Sequence, residues 1–235
     1  MIFDPLYFII LGPCLLLGMW ASARVKSNFR KYSQVGVTSG MSGAQAAAAV
    51  CRAGGANVTI ERVGGFLSDH YDPRSKTLRL SPDVYDGRSV AAIAVGAHEA
   101  GHALQDATDY AWLGFRSALV PAVQFGSSTW IWPLMIGMFM GGAQSSLGGM
   151  LVWGGIALLG VTVLFQLVTL PVEFDASNRA KKVLVEADIA RTEAEQKGVS
   201  KVLDSAAMTY VAGAVSAVAT LLYWVMVATR GGSSE

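Results

Sequence analysis

Charge is scarce in this sequence. Only 15% of its 235 residues are Asp, Glu, Lys or Arg, against about 25% in a soluble domain. From Ser117 to Val172 there is no Asp, Glu, Lys, Arg or His at all. With a mean hydropathy of +0.42, the chain is too apolar for an ordinary soluble fold, and a membrane protein is the first class to consider. An excess of basic residues is also missing. The 18 Lys and Arg against 17 Asp and Glu leave a net charge of +1, and no basic patch stands out, so no nucleic-acid partner is implied. Cysteine is nearly absent. Cys14 and Cys51 stand alone, which excludes a disulfide framework and a cysteine-built zinc site. Histidine is almost as rare: His70, His98 and His102 are all there are.

The uncharged runs divide the chain. Residues 5–23 carry no charge, follow Asp4 and precede Arg24, Lys26, Arg30 and Lys31. A signal peptide would start basic and end in a small-residue cleavage site. This run reads instead as an uncleaved first span, with the next segment in the cytoplasm. The run from Ser117 to Val172 is too long for one crossing, which uses about 20 residues. It divides into spans at 117–140 and 147–171 around the glycine-rich turn at 141–149, and Pro121 and Pro133 are expected to kink the first of them. Trp130, Trp132 and Trp153 suit interfacial anchors. A fourth span covers 205–229, before a short tail. Four spans put the charged segments 24–110 and 172–204 on one side, with every Lys and Arg except Arg230. The positive-inside rule makes that side cytoplasmic and leaves both termini outside. The spans lack the ionisable residues that mark an ion path, which argues against a transporter.

Within the first charged segment, Ser39 or Ser42 can cap a helix over Ala44–Ala53 that Gly54-Gly55 ends. Asn57–Arg62 and Thr77–Ser81 alternate as strands, with a polar turn at Ser68–Arg74 between them. Pro82 ends the second strand and Ser89 opens a helix. In the second charged segment a helix is expected from about Val172, with a connection near Lys197-Gly198.

The helix after Ser89 carries His98-Glu99-Ala100-Gly101-His102. Two histidines four residues apart share one helix face and can reach one ion. Glu99 can then act as the general base on a zinc-activated water. Apart from Glu99, residues 95–104 carry no acid, Lys or Arg, so the helix is expected to be buried. Gly96 and Gly101 weaken it, which suggests close backbone approach. A hydrolytic zinc site needs a third ligand. Glu173, His70 and Asp175 compete for that place. Glu173 is favoured because two crossings return it to the side of His102. Asp175, if not a ligand, can orient a ligand histidine.

Leu67–Pro73, Ala97–Gln105 and Pro171–Ser177, together with the span pattern, resemble the YugP-type neutral zinc metallopeptidases of bacterial membranes. The resemblance runs over nearly the whole chain. It implies a gluzincin-like site, distantly similar to HtpX and the prenyl-protein peptidases, with one zinc ion per chain held by His98, His102 and Glu173. In those relatives an Asp follows the ligand Glu by four residues. Here Ser177 stands there, and Asp175 or Asn178 can substitute. His70 or Tyr71 can donate to the oxyanion of the transition state, as can Arg179, which can also bind a substrate carboxylate. Thr77–Ser81 would be the edge strand that pairs with substrate.

The expected fold class is a mainly α membrane protein: four transmembrane helices with a cytoplasmic zincin-like metallopeptidase domain containing a small β-sheet. The expected function is zinc-dependent hydrolysis of membrane or membrane-proximal proteins in quality control at the bacterial plasma membrane. Protein or peptide substrate and membrane lipid are the partners, with a homo-oligomer or membrane-protein partner also open. A catalytically silent zinc-binding scaffold is the competing class.

Overall fold

The structure is a computed structural model that describes residues 4–230. The tail expected after Arg230 lies outside them. In chain order the elements are α1 (Pro5–Ser33), α2 (Gly43–Ala53), β1 (Thr59–Arg62), β2 (His70–Asp72), β3 (Thr77–Leu80), α3 (Pro82–Tyr85), α4 (Val90–Ala107), α5 (Ala111–Thr129), α6 (Ile131–Phe139), α7 (Ser146–Glu186) and α8 (Glu193–Arg230). The chain is therefore mainly helical with one small sheet. It forms two compact units. One takes in the residues up to Trp20, Phe115–Thr169 and those from Tyr210, and the other Ala21–Gly114 and Leu170–Thr209.

The described residues include three helices long and apolar enough to cross a membrane, α1, α7 and α8, and each of them contributes residues to both units. The stretch expected as a span over 117–140 is two helices, interrupted at Trp130. Trp130 keeps helical angles (φ −52°, ψ −34°). The cause is Pro133, which has no N–H for the Thr129 carbonyl and crowds it with its ring. Pro121 lies inside α5 without interrupting it. The expected turn is real but shorter, because α7 already starts at Ser146. It bends through Gly141 (φ 98°) and Gly142 (φ 68°), a left-handed backbone that suits glycine. Leu134, Val152, Ile156 and Ala228 form the first unit's buried cluster.

The second unit is built on α4. Ser42, not Ser39, caps α2 through a reciprocal pair with Gln45. Ser89 caps α4, its hydroxyl accepting from the Ala92 N–H at 3.2 Å. α2 and α4 approach so closely that a Cβ on Gly96 would lie 2.4 Å from the Gly43 carbonyl oxygen. The core around them includes Val50, Leu78, Leu80, Ile93, Leu184 and Leu203.

The sheet order is β1-β3-β2, with β1 parallel and β2 antiparallel to β3. This corrects two expectations. The strand at 77–80 is central, not an edge. Leu78 and Leu80 are fully buried, and Arg79 reaches Glu61 on one neighbour (3.4 Å) and Asp72 on the other (3.1 Å). The expected polar turn at 68–74 instead contains the edge strand β2. The reversal comes just after it, where Asp72 accepts from the Arg74 N–H and the Ser75 hydroxyl. Pro82 ends β3 and also opens the short helix α3.

The second charged segment differs from expectation at both ends. α7 runs unbroken through Pro171 and Val172 to Glu186, and α8 starts at Glu193. Lys197-Gly198 therefore lies inside a helix. The start is set by Thr192, whose hydroxyl accepts from the Glu195 N–H (3.2 Å). Glu195 accepts in turn from the Thr192 N–H (2.9 Å), a capping box. Gly198 serves packing, since a Cβ there would meet Val90 at 2.8 Å.

Candidate metal centre

The site is made where α4 meets the part of α7 that belongs to the second unit. Gly101 allows the approach: a Cβ there would stand 2.5 Å from the Ala176 carbonyl oxygen. This contact sets Glu173, one turn earlier on α7, opposite the two histidines one turn apart on α4. His98 Nε2 lies 3.3 Å from Glu173 Oε2, and His102 Nε2 lies 3.6 Å from the same oxygen. The imidazoles meet edge to face with centroids 4.8 Å apart. One ligand atom from each residue falls within 4.8 Å of the others. His70 is not in this group. It stands exposed on β2, its Nδ1 2.9 Å from the Ser68 carbonyl oxygen.

These separations fit a metal better than a direct ion pair. A charge-assisted N–H···O bond closes to about 2.7–2.9 Å. Two ligands of a tetrahedral zinc, each about 2.1 Å from it, stand about 3.4 Å apart. The donor set of two imidazoles and a carboxylate is one that zinc takes in hydrolytic sites, with a fourth position left open. Glu99 follows the first histidine and is 9% exposed, so it is nearly withdrawn from solvent and still reachable.

The electrostatics are mutual. Burial pushes the His102 pKa down, but the neighbouring Glu173 carboxylate, and the charge of Glu99, outweigh this and raise it. Burial alone would raise Glu173, yet the two histidines pull its carboxyl well below the usual range. The pocket thus favours a negative Glu173 beside positive charge, which is the balance a dication needs.

The residues expected to support the ligands separate into distinct places. Ser177 Oγ lies 3.1 Å from His98 Nδ1. Asp175 reaches a histidine only through Gln105, whose Nε2 donates to it at 2.9 Å while His102 Nδ1 lies 2.9 Å from Gln105 Oε1. Asn178 is exposed, and among the described residues no hydrogen bond ties it to the site. Tyr71 gives its hydroxyl to Asp106 (2.5 Å), which Lys76 also contacts. Burial, then Asp106, pushes its phenol upward. Arg179 donates to Asp175 (2.6 Å) and Thr108 (3.2 Å) and lies over the Tyr110 ring. Gln105, in contact with His102, is a residue that the motif alone did not single out. Its signal was present: it follows His102 by three residues, on the same helix face.

Residues 7–229 match the family described as "Putative neutral zinc metallopeptidase". The chain is also 44% identical over 228 residues to "Putative membrane protease YugP" of Bacillus subtilis (strain 168), covering 96% of this chain and 98% of that protein. No solved structure matches.

Proposed function

The chain belongs to the neutral zinc metallopeptidase family, and from that membership we propose that it is an integral membrane endopeptidase with one zinc ion held by His98, His102 and Glu173. The observation that carries this is the meeting of three ligand atoms within 4.8 Å, beside the carboxylate of Glu99.

When bound, zinc supplies Lewis-acid activation of a water molecule and of the scissile carbonyl. The chain's own residues do the rest. Glu99 accepts the proton of the attacking water on a carboxylate oxygen. It then delivers that proton to the nitrogen of the leaving amine. The substrate backbone pairs with β2, the edge strand joined to α4 through Tyr71 and Asp106, instead of with Thr77–Ser81. Backbone pairing makes selection by sequence loose. His70 and Tyr71 on β2 are candidates for the oxyanion. Tyr71 would have to release Asp106 first, and Arg179 would have to release Asp175 to meet a substrate carboxylate.

Its apolar helices and its likeness to a membrane protease support a place in the bacterial plasma membrane. Four crossings, a cytoplasmic site and a quality-control role on membrane proteins complete the proposal. The test uses the full chain in detergent. Wild type and Glu99→Gln are brought to equal zinc content by elemental analysis and assayed on casein. Loss of a proton-transfer group predicts a fall of about 100-fold or more. Equal hydrolysis by both would leave a zinc-binding scaffold as the better account.

A further inference from the structure

Gln105 is fully buried, and its amide has one possible orientation. Nε2 lies 2.8 Å from the Val172 carbonyl oxygen and 2.9 Å from Asp175 Oδ2. A carbonyl and an ionised carboxylate can only accept, so the NH2 group must face them. Oε1 therefore faces His102 Nδ1 at 2.9 Å. An amide oxygen also only accepts, so Nδ1 must carry a hydrogen. In the neutral ring this leaves the lone pair on Nε2, the atom turned toward Glu173. Asp175 is itself held by Arg179 at 2.6 Å. His98 has no such arrangement. Its Nδ1 faces the Ser177 hydroxyl, which can donate or accept and so fixes no tautomer.

We propose that Gln105 is the positioning residue of the metal centre, locking His102 in the tautomer that offers Nε2 to the metal and tying its ring to α7, with Asp175 holding the amide in place. The proposal rests on the zinc reading given above. In other metal sites a carboxylate commonly takes the ligand histidine's second nitrogen directly. Here an amide is interposed. It fixes direction without drawing the proton away, and the carboxylate acts one bond further out.

The test exchanges the two groups. Gln105→Glu keeps the size but sets a carboxylate against the Asp175 carboxylate and the Val172 carbonyl. Zinc affinity of the full chain in detergent, measured by competition with a chelator, is expected to fall about 10–100-fold. Adding Asp175→Asn restores a donor facing Glu at 105 and should recover most of the loss. A residue that only fills space would not show this directional rescue. Gln105→Glu binding zinc as tightly as wild type, or a double variant no tighter than the single one, overturns the proposal. Asp175→Asn alone guards against misfolding of the single variant. It should weaken zinc several-fold with unchanged unfolding temperature in chelator, and undiminished affinity also overturns the proposal. Failure of the wild type to bind zinc would instead remove the zinc reading itself.

Discussion

At the scale of residues, the centre depends on one carboxylate oxygen shared by two imidazoles. Removing it leaves two histidines, and two ligands hold zinc far less well than three. Glu173→Ala is therefore expected to purify with little zinc, while His70→Ala keeps a full equivalent. Elemental analysis of the two variants decides this, and the reverse pattern would return the third place to His70. His98, Glu99 and His102 were legible in the sequence because a five-residue spacing on a helix dictates their geometry. Glu173 was legible only by counting crossings and by resemblance. The spacing of Gln105 from His102 was legible, but its other partners, Val172 and Asp175, come from a distant stretch that no periodicity announces.

At the scale of elements, the approach of α4 to α7 through Gly101 decides whether the site forms. Gly101→Ala puts a methyl group 2.5 Å from the Ala176 carbonyl oxygen, a contact that neither helix can accept in place. Overpacking of this kind costs about 1–3 kcal/mol. Zinc affinity should fall with stability, because Glu173 would move from the histidines. Chemical unfolding followed by zinc titration measures both, and a variant with unchanged values would show that the helices have room. The glycines of α4 did signal close approach in the sequence, but not which helix approached. The sheet was less legible. Leu78 and Leu80 alternate as readily in an edge strand as in a central one, and the three residues of β2 are too few and too polar to stand out. Charges within α7 and α8 also misled, since α7 continues past the end of its apolar run and α8 starts before its own.

At the scale of the whole molecule, the proposed topology follows from the distribution of Lys and Arg. A cysteine placed at Ser145, in the turn between α6 and α7, should react with an impermeant thiol reagent on intact cells. Cys14 and Cys51 are both buried and give a low background. Protection of the new thiol until the cells are opened would reverse the orientation and move the site to the other side. Each of the three long apolar helices contains a run read as a span from composition, at 5–23, 147–171 and 205–229. The interruption at Trp130 needed the atomic consequence of a proline four residues past a carbonyl.

The order of donors along the chain also has a consequence in time. His98 and His102 leave the ribosome first, and Glu173 follows only after all of α5 and α6 and more than half of α7. At about 5–20 residues per second, the half-made centre waits several seconds for its last ligand. On the proposed reading, the growing polypeptide carries Glu99 during that interval without a complete ligand set, and hydrolysis would have to wait for the metal. Stalled chains ending before Val172 should retain no zinc after gel filtration, and stalled chains that expose Glu173 should retain it. Firm zinc retention by the shorter chains would show that there is no such wait.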